Sequence, residues 1–228
     1  MDIKSFGSSS SGNCILINKE ILLDCGIKDK EILIHTNFSL PKAVLLTHSH
    51  KDHSKYAKDW TKRGVPIYLS QGELDIMDAT GHYYKPCKAL KTFNIGKYHI
   101  TPINAIHDTP EPLNFIIDME DERVLYSTDT KGNYYNIEGV THLITECNFH
   151  LPILQKNIEI DAINKGLGLR IVETHKSLDM LLWELEKMDK TRLQKIYLSH
   201  LSDSNSNEEL FKQEVQKATG CEVYILNK

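Results

Sequence analysis

The most informative segment of this sequence is Thr47-His48-Ser49-His50-Lys51-Asp52-His53. It directly follows an apolar run, 43–46, that is typical of a buried strand. Its imidazole and carboxylate side chains are natural ligands for zinc and related divalent ions. In an extended chain His48 and His50 point the same way, and Asp52 and His53 face a second position as the chain turns into a helix. This loop is therefore predicted to supply ligands to two metal ions.

Length and composition are typical of one globular domain. The chain has 228 residues, of which 40% are hydrophobic and 25% are charged, and we predict a single domain over 1–228. Its apolar runs are too short to cross a bilayer, and its N-terminus lacks the features of a secretory signal. We therefore expect a cytoplasmic protein with no membrane partner.

Charge and cysteine usage narrow the class of protein. The net charge of −4 argues against a protein that coats nucleic acid. It is compatible with a nuclease, because two bound divalent ions make their own site positive. The five cysteines are scattered and form no C-x-x-C pair, which argues against a disulfide framework or a thiolate zinc site.

Hydrophobic periodicity predicts short strands along the chain and more helix in its last third. The predicted strands are 14–18, 20–24, 43–47, 66–70, 98–105, 113–119, 124–127, 142–146, 195–199 and 222–226, and the predicted helices include 29–38, 54–62 and 178–188. Ser70-x-x-Glu73 and Ser206-x-x-Glu209 are similar to capping boxes that begin further helices, and Gly220 is a plausible helix stop. Strand-rich halves that each end in helices favour an α/β fold with two sheets packed face to face.

The H-x-H-x-D-H spacing of 48–53 resembles the signature of the metallo-β-lactamase superfamily, and the order of later residues is similar along nearly the whole chain. Asp24, in Leu22-Leu23-Asp24-Cys25-Gly26, resembles the aspartate of the first motif, which is usually a supporting residue. His107, Asp129 and His200 resemble the later ligands. The resemblance implies a four-layer αββα sandwich.

The same resemblance implies a site for two divalent ions. It assigns His48, His50 and His107 to the first ion, Asp52, His53 and His200 to the second, and Asp129 to a bridging position. Zinc is the favoured metal, although manganese and iron are compatible with histidine and carboxylate ligands.

Four further stretches resemble the YycJ-like branch, which is near ribonuclease Z. They are Gly7-Ser8-Ser9-Ser10-Ser11-Gly12-Asn13-Cys14, the segment from His107 to Phe115 with Asn114 at a usual glycine, Thr145-Glu146-Cys147-Asn148, and Ser199-His200-Leu201-Ser202. The branch usually has G-H-L-S-N before its last long helix, and here only His175 and Ser177 match it. This resemblance implies a phosphodiesterase or nuclease, with DNA or RNA as the partner.

The implied reaction uses a hydroxide that bridges the two metals and attacks phosphorus in line. Asp52 is then both a ligand and a hydrogen-bond partner of that hydroxide. His175 is a candidate general acid or phosphate ligand, because it lies just before a predicted helix N-terminus. Glu146 is a candidate to orient His175, and His150 is a candidate pocket residue.

Two other classes of function stay open. The first is a hydrolase of a lactone, thioester or other ester, including β-lactams, on the same fold. The second is a regulatory or diiron redox member, which the intact ligand set and the lack of a flavin partner domain disfavour. The sequence does not separate DNA from RNA, exonuclease from endonuclease, or monomer from dimer.

Overall fold

The structure is a computed structural model that describes residues 1–132 and 137–226. Its contacts divide the chain into two compact units. The first unit comprises 1–104 and 109–121, and the second comprises 105–108 and 122–226. The single domain expected over 1–228 stays a prediction.

The first unit contains a six-stranded mixed sheet. Its strands, in spatial order, are β1 (Ile3–Ser9), β2 (Gly12–Ile17), β3 (Ile21–Leu23), β4 (Ala43–Leu45), β5 (Ile67–Leu69) and β6 (Tyr84–Pro86). Pairing is antiparallel from β1 to β3 and parallel from β3 to β6. Strands β2, β3 and β4 are buried along their full length, as expected for strands covered on both faces.

Four helices and three further strands complete this unit. They are α1 (Asp29–His35), α2 (Lys51–Ser54), α3 (Ala57–Lys62), α4 (Gln71–Ile76), β7 (Phe93–Ile95), β8 (Tyr98–Asn104) and β9 (Leu113–Met119). The last three strands pair as antiparallel neighbours. Trp60 on α3 is fully buried in one core cluster with Leu22, Val44 and Ile67, so the helix that follows the 48–53 segment is anchored by apolar packing.

The second unit is built on four parallel strands in the order β10 (Glu122–Ser127), β11 (His142–Glu146), β12 (Lys195–Ser199) and β13 (Glu222–Ile225). Its helices are α5 (Leu151–Glu159), α6 (Lys165–Thr174), α7 (Leu178–Lys187) and α8 (Glu208–Thr219). Because the strands are parallel, their carboxyl ends share one edge, which is where ligands bind in open α/β sheets.

The predicted class is confirmed: the chain is α/β, with two mixed sheets flanked by helices. Several predicted elements agree closely, including β9, β11 and β12. The structure adds β1, β6 and β7, which were not predicted. It also adds α5 and α6, in a region whose pattern gave no clear prediction.

Three local predictions need correction. The helix predicted over 54–62 is two short helices, α2 and α3, with a break at Tyr56. The N-cap of α8 is Asn207, whose side chain accepts from Leu210 N, so Ser206 lies one residue too early. At α4, Ser70 caps Glu73 N as predicted, but the Glu73 carboxylate bonds elsewhere. Gly220 is confirmed as a stop, with φ of 70°.

Two composition-based expectations can be compared with the structure. Every cysteine has a free thiol, four of them buried, in agreement with the expected lack of a disulfide framework. Among the described residues, each helix falls short of the length and apolarity that crossing a membrane requires.

Candidate metal centre

The loop of the first unit brings its four candidate ligands together. His48 follows β4, His50 is the N-cap of α2, and Asp52 and His53 lie on that helix. His48 Nε2 is 3.2 Å from His50 Nδ1, and His53 Nε2 is 3.3 Å from Asp52 Oδ2. Nitrogen and carboxylate donors converging at these distances form a donor set that fits a divalent ion.

Asp24 supports this loop from the end of β3. It is fully buried and adopts a left-handed conformation with φ of 57°. Its carboxylate accepts from Thr47 N at 2.8 Å, from Thr47 Oγ1 at 2.9 Å and from His53 Nδ1 at 2.7 Å. A carboxylate that receives the Nδ1 proton of a histidine fixes the ring and makes Nε2 the ligand atom.

Asn13 is a site residue that was not singled out from the sequence. Its Nδ2 donates to Ser9 O at 3.0 Å and to Asp52 Oδ2 at 3.2 Å, and it lies 3.0 Å from His53 Nε2. Gly26 makes the approach possible, since a Cβ there would lie 1.7 Å from Asp52 O. Asn13 belongs to the quoted Ser-rich motif, but nothing in the sequence indicated its distant partners.

The second unit places its candidate residues where parallel strands end. Asp129 follows β10, Glu146 ends β11 and His200 follows β12. Asp129 and His200 both adopt left-handed conformations, with φ of 42° and 53°. Together with His175, these residues offer ligand atoms that all lie within 4.8 Å of one another. Left-handed backbone at non-glycine residues costs free energy, and such residues cluster at functional sites.

His107 is held in this unit by α6. Its Nδ1 donates to Thr174 O, the last residue of the helix, at 3.2 Å, and its Nε2 lies 3.8 Å from Asp129 Oδ2. Burial lowers the pKa of His107, although Asp129 and Glu146 oppose the shift. The neutral ring, which is the form that binds metal, is therefore favoured.

His175, which is partly exposed, forms an ion pair with the buried Glu146. His175 Nδ1 donates to Glu146 Oε1 at 2.5 Å, and the Glu146 side chain is fully buried. Burial alone would lower the pKa of His175, but the charge and hydrogen bond of Glu146 outweigh it and raise that pKa. Burial would likewise raise the pKa of Glu146, but His175 lowers it. The pair therefore favours an imidazolium beside a carboxylate.

The position of His175 refines the prediction that it lies just before a helix N-terminus. It is the C-cap of α6, and Ser177 is the N-cap of α7. Ser177 itself accepts from Met180 N, so the end of α7 already has a side-chain cap. His150 is the N-cap of α5, outside the grouped ligand atoms of the described residues, and its pocket role stays a prediction.

Two mixed sheets flanked by helices, with histidines and aspartates at strand ends, define the class of the metallo-β-lactamase fold. The chain belongs to the family described as "Beta-lactamase superfamily domain", whose model matches residues 19–150.

The fold is similar to that of the metallo-beta-lactamase fold protein YhfI from Bacillus subtilis, with a TM-score of 0.74 and 17% identity over 99% of this chain and 95% of that chain. Exodeoxyribonuclease WalJ of Streptococcus pneumoniae is 24% identical over 89% of this chain and 82% of its own length. Ribonuclease J of Sinorhizobium meliloti is 27% identical over 40% of this chain and only 18% of its own length. These findings support the superfamily, the YycJ-like branch and a metal-dependent hydrolase.

Proposed function

We propose that this chain is a dinuclear metal-dependent phosphodiesterase that cleaves DNA or RNA. His48, His50 and His107 would hold one ion, Asp52, His53 and His200 would hold the other, and Asp129 would be a ligand of both. The observation that carries this proposal is that each unit by itself groups nitrogen and oxygen donors. In each unit the Nδ1 atom of one histidine is also fixed by an oxygen acceptor: His53 by Asp24 in the first unit, and His107 by the Thr174 carbonyl in the second.

The chemistry divides between the ions and the chain. When bound, two divalent ions lower the pKa of a water molecule toward neutral pH, and they stabilise the charge that develops on the phosphoryl oxygens. Asp52 is 21% exposed, unlike the fully buried His53, so its carboxylate can both bind an ion and accept a hydrogen bond from the attacking water. Asn13 fixes the orientation of that carboxylate through Oδ2.

His175 is proposed as the general acid, with Glu146 as the residue that positions it. The raised pKa favours the protonated imidazole, and 18% exposure of its side chain leaves it reachable by a leaving-group oxygen. Transfer of that proton lets the alkoxide leave as an alcohol. Glu146 stabilises the charged ring before the transfer and holds it in one orientation.

A nucleic-acid substrate is favoured by the names of two relatives, an exodeoxyribonuclease and a ribonuclease. The net charge of −4 does not oppose it, because the ions attract the phosphodiester locally. We propose zinc as the metal, manganese or iron as alternatives, and a cytoplasmic location.

The test is hydrolysis of bis(p-nitrophenyl) phosphate by purified protein loaded with zinc or manganese. Asp52→Ala should abolish turnover, and His99→Ala, at an exposed position on β8, should leave it unchanged. Labelled DNA and RNA then identify the nucleic acid. Two bound ions without turnover of any phosphodiester, but with hydrolysis of a lactone or thioester, would contradict the proposal.

A further inference from the structure

Glu73 is a buried carboxylate to which the proposed reaction assigns no role. Its side chain is fully buried in the first unit, at the third position of α4. Both of its oxygens accept from backbone N–H groups: Oε2 from Ser49 at 2.8 Å and Oε1 from Glu111 at 3.2 Å. A buried carboxylate is costly unless it is hydrogen-bonded, so these two bonds account for its placement.

The first of these bonds reaches the metal-binding loop. Ser49 is the residue between His48 and His50, so a hydrogen bond to its N–H restrains the peptide that joins it to His48 and lies one residue before His50. In a capping box the Glu73 side chain would return to Ser70 N. Here Ser70 Oγ accepts from Glu73 N, while the carboxylate extends to Ser49. The capping box of α4 is thus formed only by its Ser70 half, because the Glu73 carboxylate accepts a hydrogen bond from the loop instead.

The second bond belongs to a reciprocal clamp. Glu111 N donates to Glu73, and Glu111 Oε2 accepts from Gly72 N at 2.8 Å. The approach is close, because a Cβ at Gly72 would lie 2.9 Å from Glu111 Cβ. The Glu73 carboxylate is therefore bonded on two sides through its own oxygens, to the loop at Ser49 N and to the backbone at Glu111 N, and neither bond uses the Glu111 side chain.

We propose that Glu73 is a positioning residue for the His48–His50 half of the metal centre, and that it sets the affinity of the ion bound there through the Ser49 N–H. This inference rests on the proposed metal site. A preorganised loop loses less conformational entropy when an ion binds. Residues that orient metal ligands typically change metal affinity by about 10–100-fold when they are replaced.

The test uses the full-length chain, stripped of metal and titrated with zinc against a competing chromophoric chelator. Glu73→Ala and Glu73→Gln should weaken one binding step by about 10–100-fold, and it should be the step that His48→Ala removes. Glu111→Ala is the matched control, because it removes the acceptor of Gly72 N and leaves the Glu73–Ser49 bond in place. It should leave zinc affinity within about threefold of the wild type, well below the range expected for a positioning residue.

Wild-type zinc affinity in both Glu73 variants would overturn the proposal. An equal loss of zinc affinity in Glu111→Ala would also overturn it, because it would indicate a general effect on stability. If Glu73→Ala does not fold, the glutamine variant and amide exchange decide the question. The Ser49 amide of the metal-free wild type should be protected from exchange, and rapid exchange would contradict the bond. Turnover is not used, so two bound zinc ions without phosphodiester hydrolysis would refute only the proposed function.

Discussion

The two groups of candidate ligands are built in opposite ways. In the first unit, four of them lie in one loop and a short helix, 48–53, and Asp24, Asn13 and Glu73 hold that segment from three directions. In the second unit, the candidate ligands Asp129 and His200 come from the ends of two different strands, and Glu146, the proposed partner of His175, ends a third. The first group is thus organised by local sequence, and the second by the pairing of parallel strands.

Because of this difference, residue replacements should affect the two groups differently. The loop depends on supporting hydrogen bonds, so replacing a supporting residue should weaken metal binding gradually. The strand-end group depends on backbone positions, two of them left-handed, and on the ion pair between His175 and Glu146. Its residues touch one another directly, so single replacements there should have larger effects.

The largest effect is expected for Asp129→Ala. As the proposed bridge, Asp129 contributes to both ions, so the variant should bind at most one ion and lose measurable turnover. Metal content of the purified variant and hydrolysis of bis(p-nitrophenyl) phosphate check this. An Asp129→Ala protein that retains two ions and wild-type activity would contradict the proposed bridging role of Asp129.

His175→Gln should lower the rate on a phosphodiester with a poor leaving group by about 10²–10⁴-fold, the usual contribution of general acid catalysis. A p-nitrophenyl ester, whose leaving group needs no proton, should lose far less. Comparing both substrates in one preparation is the measurement. Equal losses on the two would contradict the proton-transfer role.

The pH dependence of the rate also tests the role of His175 as a general acid. Glu146 raises the pKa of His175, so the protonated donor persists above the ordinary histidine range near pH 6.5. The rate on a poor leaving group should therefore fall as pH rises through that raised pKa. Glu146→Gln removes the charge that raises it and should move the fall to lower pH. An unmoved profile would separate Glu146 from His175.

Asp24→Asn tests the loop. The amide cannot accept all three hydrogen bonds from Thr47 and His53, so zinc affinity should drop by about 10–100-fold. The free energy of unfolding of the metal-free protein should fall by about 1–3 kcal/mol, the cost of a buried group left unsatisfied. Zinc titration and urea unfolding report the two effects, and wild-type values in both would contradict the supporting role.

The smallest effect is expected for Asn13→Ala. It removes one donor to Asp52 and leaves every proposed ligand in place, so zinc affinity should weaken by about tenfold, at the low end of such effects. Asn94→Ala, at an exposed position on β7, is a matched control that should not change it. Unchanged affinity in Asn13→Ala would show that the Asp52 contact does not matter for binding.

The comparison also explains what the sequence could predict. The candidate metal ligands in 48–53 could be predicted from that segment alone, because their spacing is local. His107, Asp129 and His200 were identified only through their resemblance to the superfamily, since the sequence does not reveal which strands are neighbours. The class and most strands followed from hydrophobic periodicity, and β9, β11 and β12 agree with it.

What the sequence missed depends on tertiary contacts. Nothing local marks Asn13 as a partner of Asp52, or directs Glu73 to Ser49 rather than to its own helix cap. The helix α6 was also missed, although its last carbonyl group holds His107. Its sequence contains Gly166 and Gly168, which weaken a helical pattern. A Cβ at Gly168 would lie 2.5 Å from Ile158 Cδ1 on α5, so glycine permits this close approach, which is visible only in the structure.

A crystal structure of the zinc-loaded protein, with anomalous data collected at the zinc edge, would test the proposed dinuclear site directly. We expect two ions about 3.5–4 Å apart, with Asp129 in contact with both and His48 and His53 on different ions. A single ion, or two ions bound separately by the two groups of ligands without a shared carboxylate, would contradict it.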